Sequence, residues 1–126
     1  MTPIKNLQTL LKSMKPKLIK GDYVFYTTKK SNTKLKSICI FQEKEGTTLI
    51  LKKTEADKNK LKYDAVWNLI TLTVHSDLEA VGFLAKITEK LAKNNISVNV
   101  ISAYYHDHLF ILKKDTKKVL QLLKKF

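Results

Sequence analysis

The chain contains no arginine: all 24 of its basic residues are lysine. Arginine supplies the planar fork that grips phosphate and guanine at two points at once. Its absence argues against a nucleic-acid reader, despite a net charge of +13. There is one cysteine, Cys39, so no internal disulfide can form. The three glycines, at positions 21, 46 and 82, are too few and too scattered for a phosphate-cradling loop. No apolar run reaches the ~18 residues that a membrane-crossing helix needs. Met1 to Leu11 lacks the apolar core of a signal peptide. Together these absences predict a cytoplasmic chain without membrane contact and without a cofactor.

What is present is an ordinary globular composition, 44% hydrophobic over 126 residues. Residues 1–63 carry fifteen lysines and five acids, and residues 64–126 carry nine and six. The charge is spread rather than clustered, as expected of a solvated lysine surface. Two modules of about 60 residues are possible, each marginal alone and so expected to share an interface.

Leu7, Leu10, Leu11 and Met14 recur at helical spacing, which predicts an amphipathic helix over Ile4–Met14 that Pro16 ends. Gly21-Asp22 signals a turn. Tyr23–Thr28, Ile38–Phe41 and Thr47–Leu51 read as strands, the last two joined as a hairpin through Glu43–Gly46. The polar stretch Lys29–Lys36 has no pattern. Thr54 is placed to cap a short helix through Leu61. Ala65–Val74 is a long apolar strand. Ser76-Asp77-Leu78-Glu79 fits a capping box, predicting a helix from Glu79 to Asn94 with Val81, Leu84, Ile87 and Leu91 buried. Asn94-Asn95 is a left-handed stop. Val98–Ala103 and His108–Leu112 read as strands around a turn, and Asp115 is placed to cap a last helix. Cys39, inside an apolar strand, reads as an inert buried thiol.

The second half therefore reads β-α-β-β-α, and the first reads β, an irregular link, then β-β-α behind an added helix. Leu49-Ile50-Leu51-Lys52-Lys53 resembles Phe110-Ile111-Leu112-Lys113-Lys114, and a helix follows each. This repeat suggests duplication. It predicts an α+β fold of two ferredoxin-like modules, 1–63 and 64–126, with antiparallel sheets backed by helices on one face.

Ile70 to Phe110 resembles an ACT domain: an apolar strand, a polar loop with an acid, a glycine near the helix start, a Leu/Ile stripe, then an Asn-rich turn. Glu43–Gly46, Leu72–Ser76, Leu78–Gly82, Asn99–Ile101 and Tyr104–His108 are similar to stretches of a bacterial family of small tandem ACT proteins, formerly a domain of unknown function. The resemblance implies an amino-acid site where the loop after the first strand meets the second strand. In serine-sensing relatives a His and an Asn of that loop, with an Asn near the second strand, hold the ligand. His75 matches the His by position, Asp77 stands where the Asn would be, and Ser97 or Asn99 could take the third role. Gly82 comes late for the usual ACT glycine, which implies a longer loop.

A ferredoxin-like order puts the end of the first strand and the turn between the second and third at the same sheet edge. His75, Ser76, Asp77, Leu78, Tyr105, His106, Asp107 and His108 are expected to meet there, with Gly82 at the helix start. A zwitterion needs an anion site and a cation site together. The helix N-terminus offers the first, and Asp77 or Asp107 the second. Of Tyr104 and Tyr105, one is expected in the core and one at the site or an interface. The histidines and aspartates could bind zinc, but no His/Cys spacing matches a standard motif, so no metal is assigned. No nucleophile–base constellation is visible, so no catalysis is expected. The predicted function is binding of a small molecule, most plainly an amino acid, by a regulatory homodimer whose open sheet edges pair. The alternatives are a ferredoxin-like RNA binder, which lacks the aromatic strand signature of that class, and an assembly adaptor with a degenerate site.

Overall fold

The computed structural model of the chain describes residues 2–30 and 33–126. Its elements are α1 (Leu7–Ser13), β1 (Pro16–Thr28), β2 (Cys39–Gln42), β3 (Thr47–Lys52), α2 (Lys53–Lys58), β4 (Trp67–Leu72), α3 (Phe83–Lys93), β5 (Val98–Ser102), β6 (Asp107–Leu112) and α4 (Thr116–Leu122). A 3-10 turn over Lys113–Asp115 leads into α4. The fold is α+β, built from two ferredoxin-like modules with antiparallel strands. Contacts divide the chain into two compact units. Lys20–Trp67 forms one, and the residues up to Ile19 join Asn68–Phe126 in the other.

In the unit Lys20–Trp67 the strand order is β2-β3-β1, with Phe25 opposite Ile50 and Ile40 opposite Leu49. The period of two sends Leu49 and Leu51 to one face, where they pack with Val24 and with Ala56 of α2. Gly46 closes the β2–β3 hairpin because nothing larger fits. A Cβ there would lie 2.9 Å from the Thr28 carbonyl oxygen. The turn expected at Gly21-Asp22 is not formed. β1 runs straight through it, Gly21 taking φ +110° within the strand. β2 lies at the edge of this order, so Ile40 and Phe41 are exposed and Cys39 is half-buried, not the enclosed thiol expected from its apolar neighbours. α2 begins at Lys53 without a side-chain cap, so Thr54 does not cap it. Of the patternless link Lys29–Lys36, Ser31 and Asn32 lie outside the described residues. Thr33–Ser37 form neither helix nor strand.

The other unit has the order β4-β6-β5. Val98 pairs with Ile111 and Ser102 with Asp107, so β5 and β6 are antiparallel. Between β4 and β6, Thr71 Oγ1 lies 2.9 Å from His108 Nδ1. At the far end Thr116 Oγ1 donates to Asn68 Oδ1 at 2.8 Å. Those two contacts run in opposite chain senses, as antiparallel neighbours require. Thr116, not Asp115, thus makes the anchoring bond at α4, whose Asp115 cap position carries no side-chain hydrogen bond.

The core of this unit joins Ile70 and Leu72 of β4, Leu109 and Ile111 of β6, and Phe83, Ile87 and Leu91 of α3. The α3 residues recur every four positions, one stripe of the helix. Asn95 ends that helix at φ +59°, the left-handed stop read from its side chain. Leu10 and Met14 of the N-terminal segment enter the same core. The first helix therefore belongs with the second half of the chain. α1 is also shorter than its periodicity suggested. Asn6 caps it by accepting from the Thr9 N–H at 3.0 Å, which leaves Ile4 extended.

Leu10 is fully buried. Leu10→Ala should cost about 2–5 kcal/mol. In chemical denaturation the loss should appear as a lower midpoint, with the strongest loss of hydrogen-exchange protection in α3 and β6, not in β3.

Candidate ligand site

The site forms in the loop between β4 and α3, residues 73–82. That loop is tied to the chain's N-terminal segment. The Ile4 N–H donates to the His75 carbonyl at 2.8 Å, and the Asp77 N–H donates to the Ile4 carbonyl at 2.9 Å. This is a single parallel bridge between Ile4 and Ser76. Thr73 donates through both its N–H (3.0 Å) and its hydroxyl (2.7 Å) to the Lys15 carbonyl. Lys5 and Glu79 form an exposed ion pair at 3.7 Å, which adds little.

The expected capping box does not form. The Ser76 hydroxyl donates instead to Asp107 Oδ2 at 3.0 Å. The Glu79 N–H donates to Asp77 Oδ1 at 2.8 Å, and the Ala80 N–H closes a turn onto the Asp77 carbonyl. The helix consequently starts four residues later than predicted, at Phe83. Gly82 sits at its N-cap with φ +91°, a conformation glycine adopts without strain. Val81, expected in the buried stripe, is exposed, and Phe83 takes its place in the core. Gly82 has no side chain to cap the helix, and the first turn of α3 contains no acid. Its leading N–H groups are therefore left to water or a ligand.

Beside that helix start lies a recess of about 150 Å³. Ser76, Asp77, Ser102 and Asp107 form its polar side. Leu78, Ala80 and the stretch Gly82–Ala85 form the rest. Of the residues singled out from sequence, Ser76, Asp77, Leu78, Gly82 and Asp107 line it. His75 is buried nearby, with its ring centroid 5.2 Å from that of Tyr105 and 6.1 Å from that of Tyr104. Both tyrosines are exposed, so neither takes the expected core position. His106 Nδ1 lies 3.2 Å from the Val74 carbonyl, and His108 faces Thr71.

Ser97 and Asn99 are exposed and stand apart from the recess. Asn99 pairs with Phe110, three positions along the hairpin from the Ser102–Asp107 pair, or roughly 10 Å. Ser102 itself was missed by sequence reading. Counting the register back from Asp107 across the turn would have found it. Ala80, Leu84 and Ala85 carried no chemical signal. Among the described residues no group of three His, Cys, Asp or Glu side chains has a geometry that could hold a metal ion.

Two regions of the chain match models of the same family, described as ACT domain: residues 2–68 and residues 65–125. The chain belongs to the ACT-domain family. Among solved structures, a Vibrio cholerae protein of unknown function, described as a possible transport protein, is 47% identical. It superposes with a TM-score of 0.87 over 95% of this chain and 94% of that one. An Agrobacterium tumefaciens protein shares the fold at 17% identity and a TM-score of 0.75, covering 87% of this chain and 86% of that one. The Clostridium acetobutylicum aspartate kinase shares the fold at 12% identity and a TM-score of 0.63. There 88% of this ACT chain corresponds to 33% of the kinase. No curated protein matches the chain. No helix among the described residues is long and apolar enough to cross a membrane.

Burial lowers the His108 pKa from its ordinary value near 6.5; the neighbouring His106 acts in the same direction and Asp107 opposes them. The folded state thus binds the His108 proton less readily than the unfolded chain. The stability His108 contributes is complete above about pH 6.5 and is lost as pH falls toward the lowered folded value. Melting curves should show wild type losing stability relative to His108→Gln as pH drops from 7 to 5.

Replacing Ile4 with proline removes the N–H that holds the His75 carbonyl. Hydrogen exchange at the Asp77 amide should accelerate at least tenfold in Ile4→Pro, with the β6 amides unchanged.

Proposed function

We propose that this ACT-domain chain is a non-catalytic regulatory protein that binds a free amino acid in the recess at the start of α3. ACT domains generally bind small ligands such as amino acids, and two lie in tandem here. The observation that carries the reading is that groups of opposite polarity line one small recess. Its lining includes the start of α3, with uncapped N–H groups and the positive end of the helix dipole. It also includes the carboxyl groups of Asp77 and Asp107. A zwitterion satisfies both at once, with its carboxylate at the helix and its ammonium at the acids. The recess is of the order of one amino acid in size. The likeness to aspartate kinase supports the fold only.

The nearest candidate nucleophile supports a binding role too. The Ser76 hydroxyl is engaged with Asp107 rather than with an imidazole. Binding acts by stabilising one arrangement of the loop over others, which is how a non-catalytic module transmits a signal.

A thermal-shift screen of the free amino acids tests the proposal. Any ligand at a hundredfold excess over its dissociation constant should stabilise the fold by about 2.7 kcal/mol. Asp77→Ala should reduce that shift strongly while leaving the unliganded melting temperature near wild type, since Asp77 lies in the loop outside the hydrophobic core. A wild-type protein that responds to no amino acid sinks the reading.

A further inference from the structure

The unit Lys20–Trp67 has an opening of its own. Val24, Tyr26 and Thr28 alternate onto one face of β1, the face that packs with Leu49, Leu51 and Ala56. Val24 is fully buried, but Tyr26 and Thr28 are only half-buried, so the cover of this face runs out toward the end of the strand. In the other unit α3 follows the corresponding strand, β4, and brings Phe83, Ile87 and Leu91 into its core. Between β1 and β2 no helix forms among the described residues. What remains is a cavity of about 350 Å³, lined also by Thr33, Lys34 and Leu35 of the link and by Asn59 and Leu61 after α2.

Its chemistry is the reverse of the recess beside α3. Lys30 and Lys34 line it and no acid does. Neither lysine belongs to any of the three ion pairs found among the described residues. Glu55, whose carbonyl accepts from the Asn59 side chain, turns its carboxylate to the Lys36 N–H at 2.9 Å and is not part of the lining. The hydroxyls are poised as donors. Thr28 Oγ1 accepts from the Lys30 N–H and Thr33 Oγ1 from the Leu35 N–H, each at 3.2 Å. A hydroxyl oxygen that accepts keeps its own proton free to give. The Tyr26 phenol is a third hydroxyl, and Leu35 and Leu61 make an apolar flank.

We propose that this cavity is a second small-molecule site, one that takes a phosphate monoester with an apolar or aromatic body. A phosphate monoester carries about −1.5 to −2 charge at neutral pH and three strong acceptor oxygens. The charge matches the two ammonium groups of Lys30 and Lys34. The three oxygens serve these ammoniums and the three hydroxyls better than the two of a carboxylate. Lysine binds phosphate as a point charge and needs no arginine fork to do so. Phosphate alone leaves much of the cavity empty, and the body of the ester rests on Tyr26, Leu35 and Leu61. The proposal stands apart from the amino-acid reading, since the two sites share no residue.

Phenyl phosphate, inorganic phosphate and benzyl alcohol, titrated into the isotope-labelled full chain and followed by NMR, test the assignment. Phenyl phosphate should shift the amides of residues 26–30, 33–35 and 59–61 and leave those of residues 73–82 in place. Inorganic phosphate lacks the apolar body and benzyl alcohol lacks the charge, so each should bind about tenfold more weakly or worse. Lys30→Ala/Lys34→Ala should weaken phenyl phosphate binding by about thirtyfold or more. Both side chains are exposed, so the melting temperature of that variant should stay near wild type. Lys117→Ala/Lys118→Ala removes the same charge from exposed positions on α4 and should change the affinity by no more than about twofold. A chain that does not bind phenyl phosphate overturns the proposal, as do shifts centred on residues 73–82. Equal weakening by the two lysine pairs also overturns it, because the binding would then be a response to the positive surface as a whole. Benzyl alcohol binding as tightly as phenyl phosphate does the same, since the lysines would then have no part in recognition.

Discussion

The two backbone hydrogen bonds that Ile4 exchanges with His75 and Asp77 are the constraint on which the candidate site depends. They pin the loop after β4 at Ser76, the residue that its sequence would otherwise use to cap a helix. With the loop held, the Ser76 hydroxyl reaches Asp107 instead of capping the helix. The helix then starts at Phe83 behind an uncapped glycine. Leu7 packs against that glycine, 3.6 Å from where a Cβ would stand, so the same N-terminal segment fixes both ends of the loop. The recess is the space left when a helix gives up its first turn to an external tether. A free backbone end at a helix start is ordinarily a cost to folding. Here, on the amino-acid reading proposed above, it is the feature that would receive the ligand's carboxylate.

The duplication explains why this chemistry sits in one module. Both modules place the third strand between the other two, β3 between β2 and β1, and β6 between β5 and β4. The repeat that aligns Leu49-Ile50-Leu51 with Phe110-Ile111-Leu112 also aligns Gly46 with Asp107. At Gly46 a side chain would collide with the Thr28 carbonyl. The position that carries the buried acid in one module must therefore stay bare in the other. The two copies have kept their strand order and core alternation while diverging at the hairpin that closes the site.

The strands and the buried face of α3 were legible in the sequence because they depend on short-range alternation. Leu49 and Leu51, Ile70 and Leu72, Leu109 and Ile111 announce the sheet face two residues at a time. The convergence of residues 75–79 with 104–108 followed from strand order, and the Ser76–Asp107 bond is its physical content. What could not be read locally was settled by partners far along the chain. Ser76-Asp77-Leu78-Glu79 is a sound capping box until Asp107, 31 residues away, takes the hydroxyl. The amphipathy of α1 says that it packs, not on which sheet, and it packs beside α3. Cys39 sits in an apolar run that proved to be an edge strand. Ser97 and Asn99 entered only through resemblance, and hairpin register places Asn99 too far along β5.

Because the tether and the recess share one loop, their free energies are linked. A ligand that binds only the held conformation stabilises the Ile4 bridge by the same factor by which the bridge favours the ligand. The coupling needs no long pathway, since Ser76 pairs with Ile4 through its backbone register and with Asp107 through its hydroxyl. Any influence that draws the N-terminal segment away from the loop, such as a partner competing for Leu7, must therefore weaken ligand binding, and the ligand must in turn resist that partner. Occupancy of the recess, about 150 Å³ in size, would by this reciprocity be felt at the N-terminal segment.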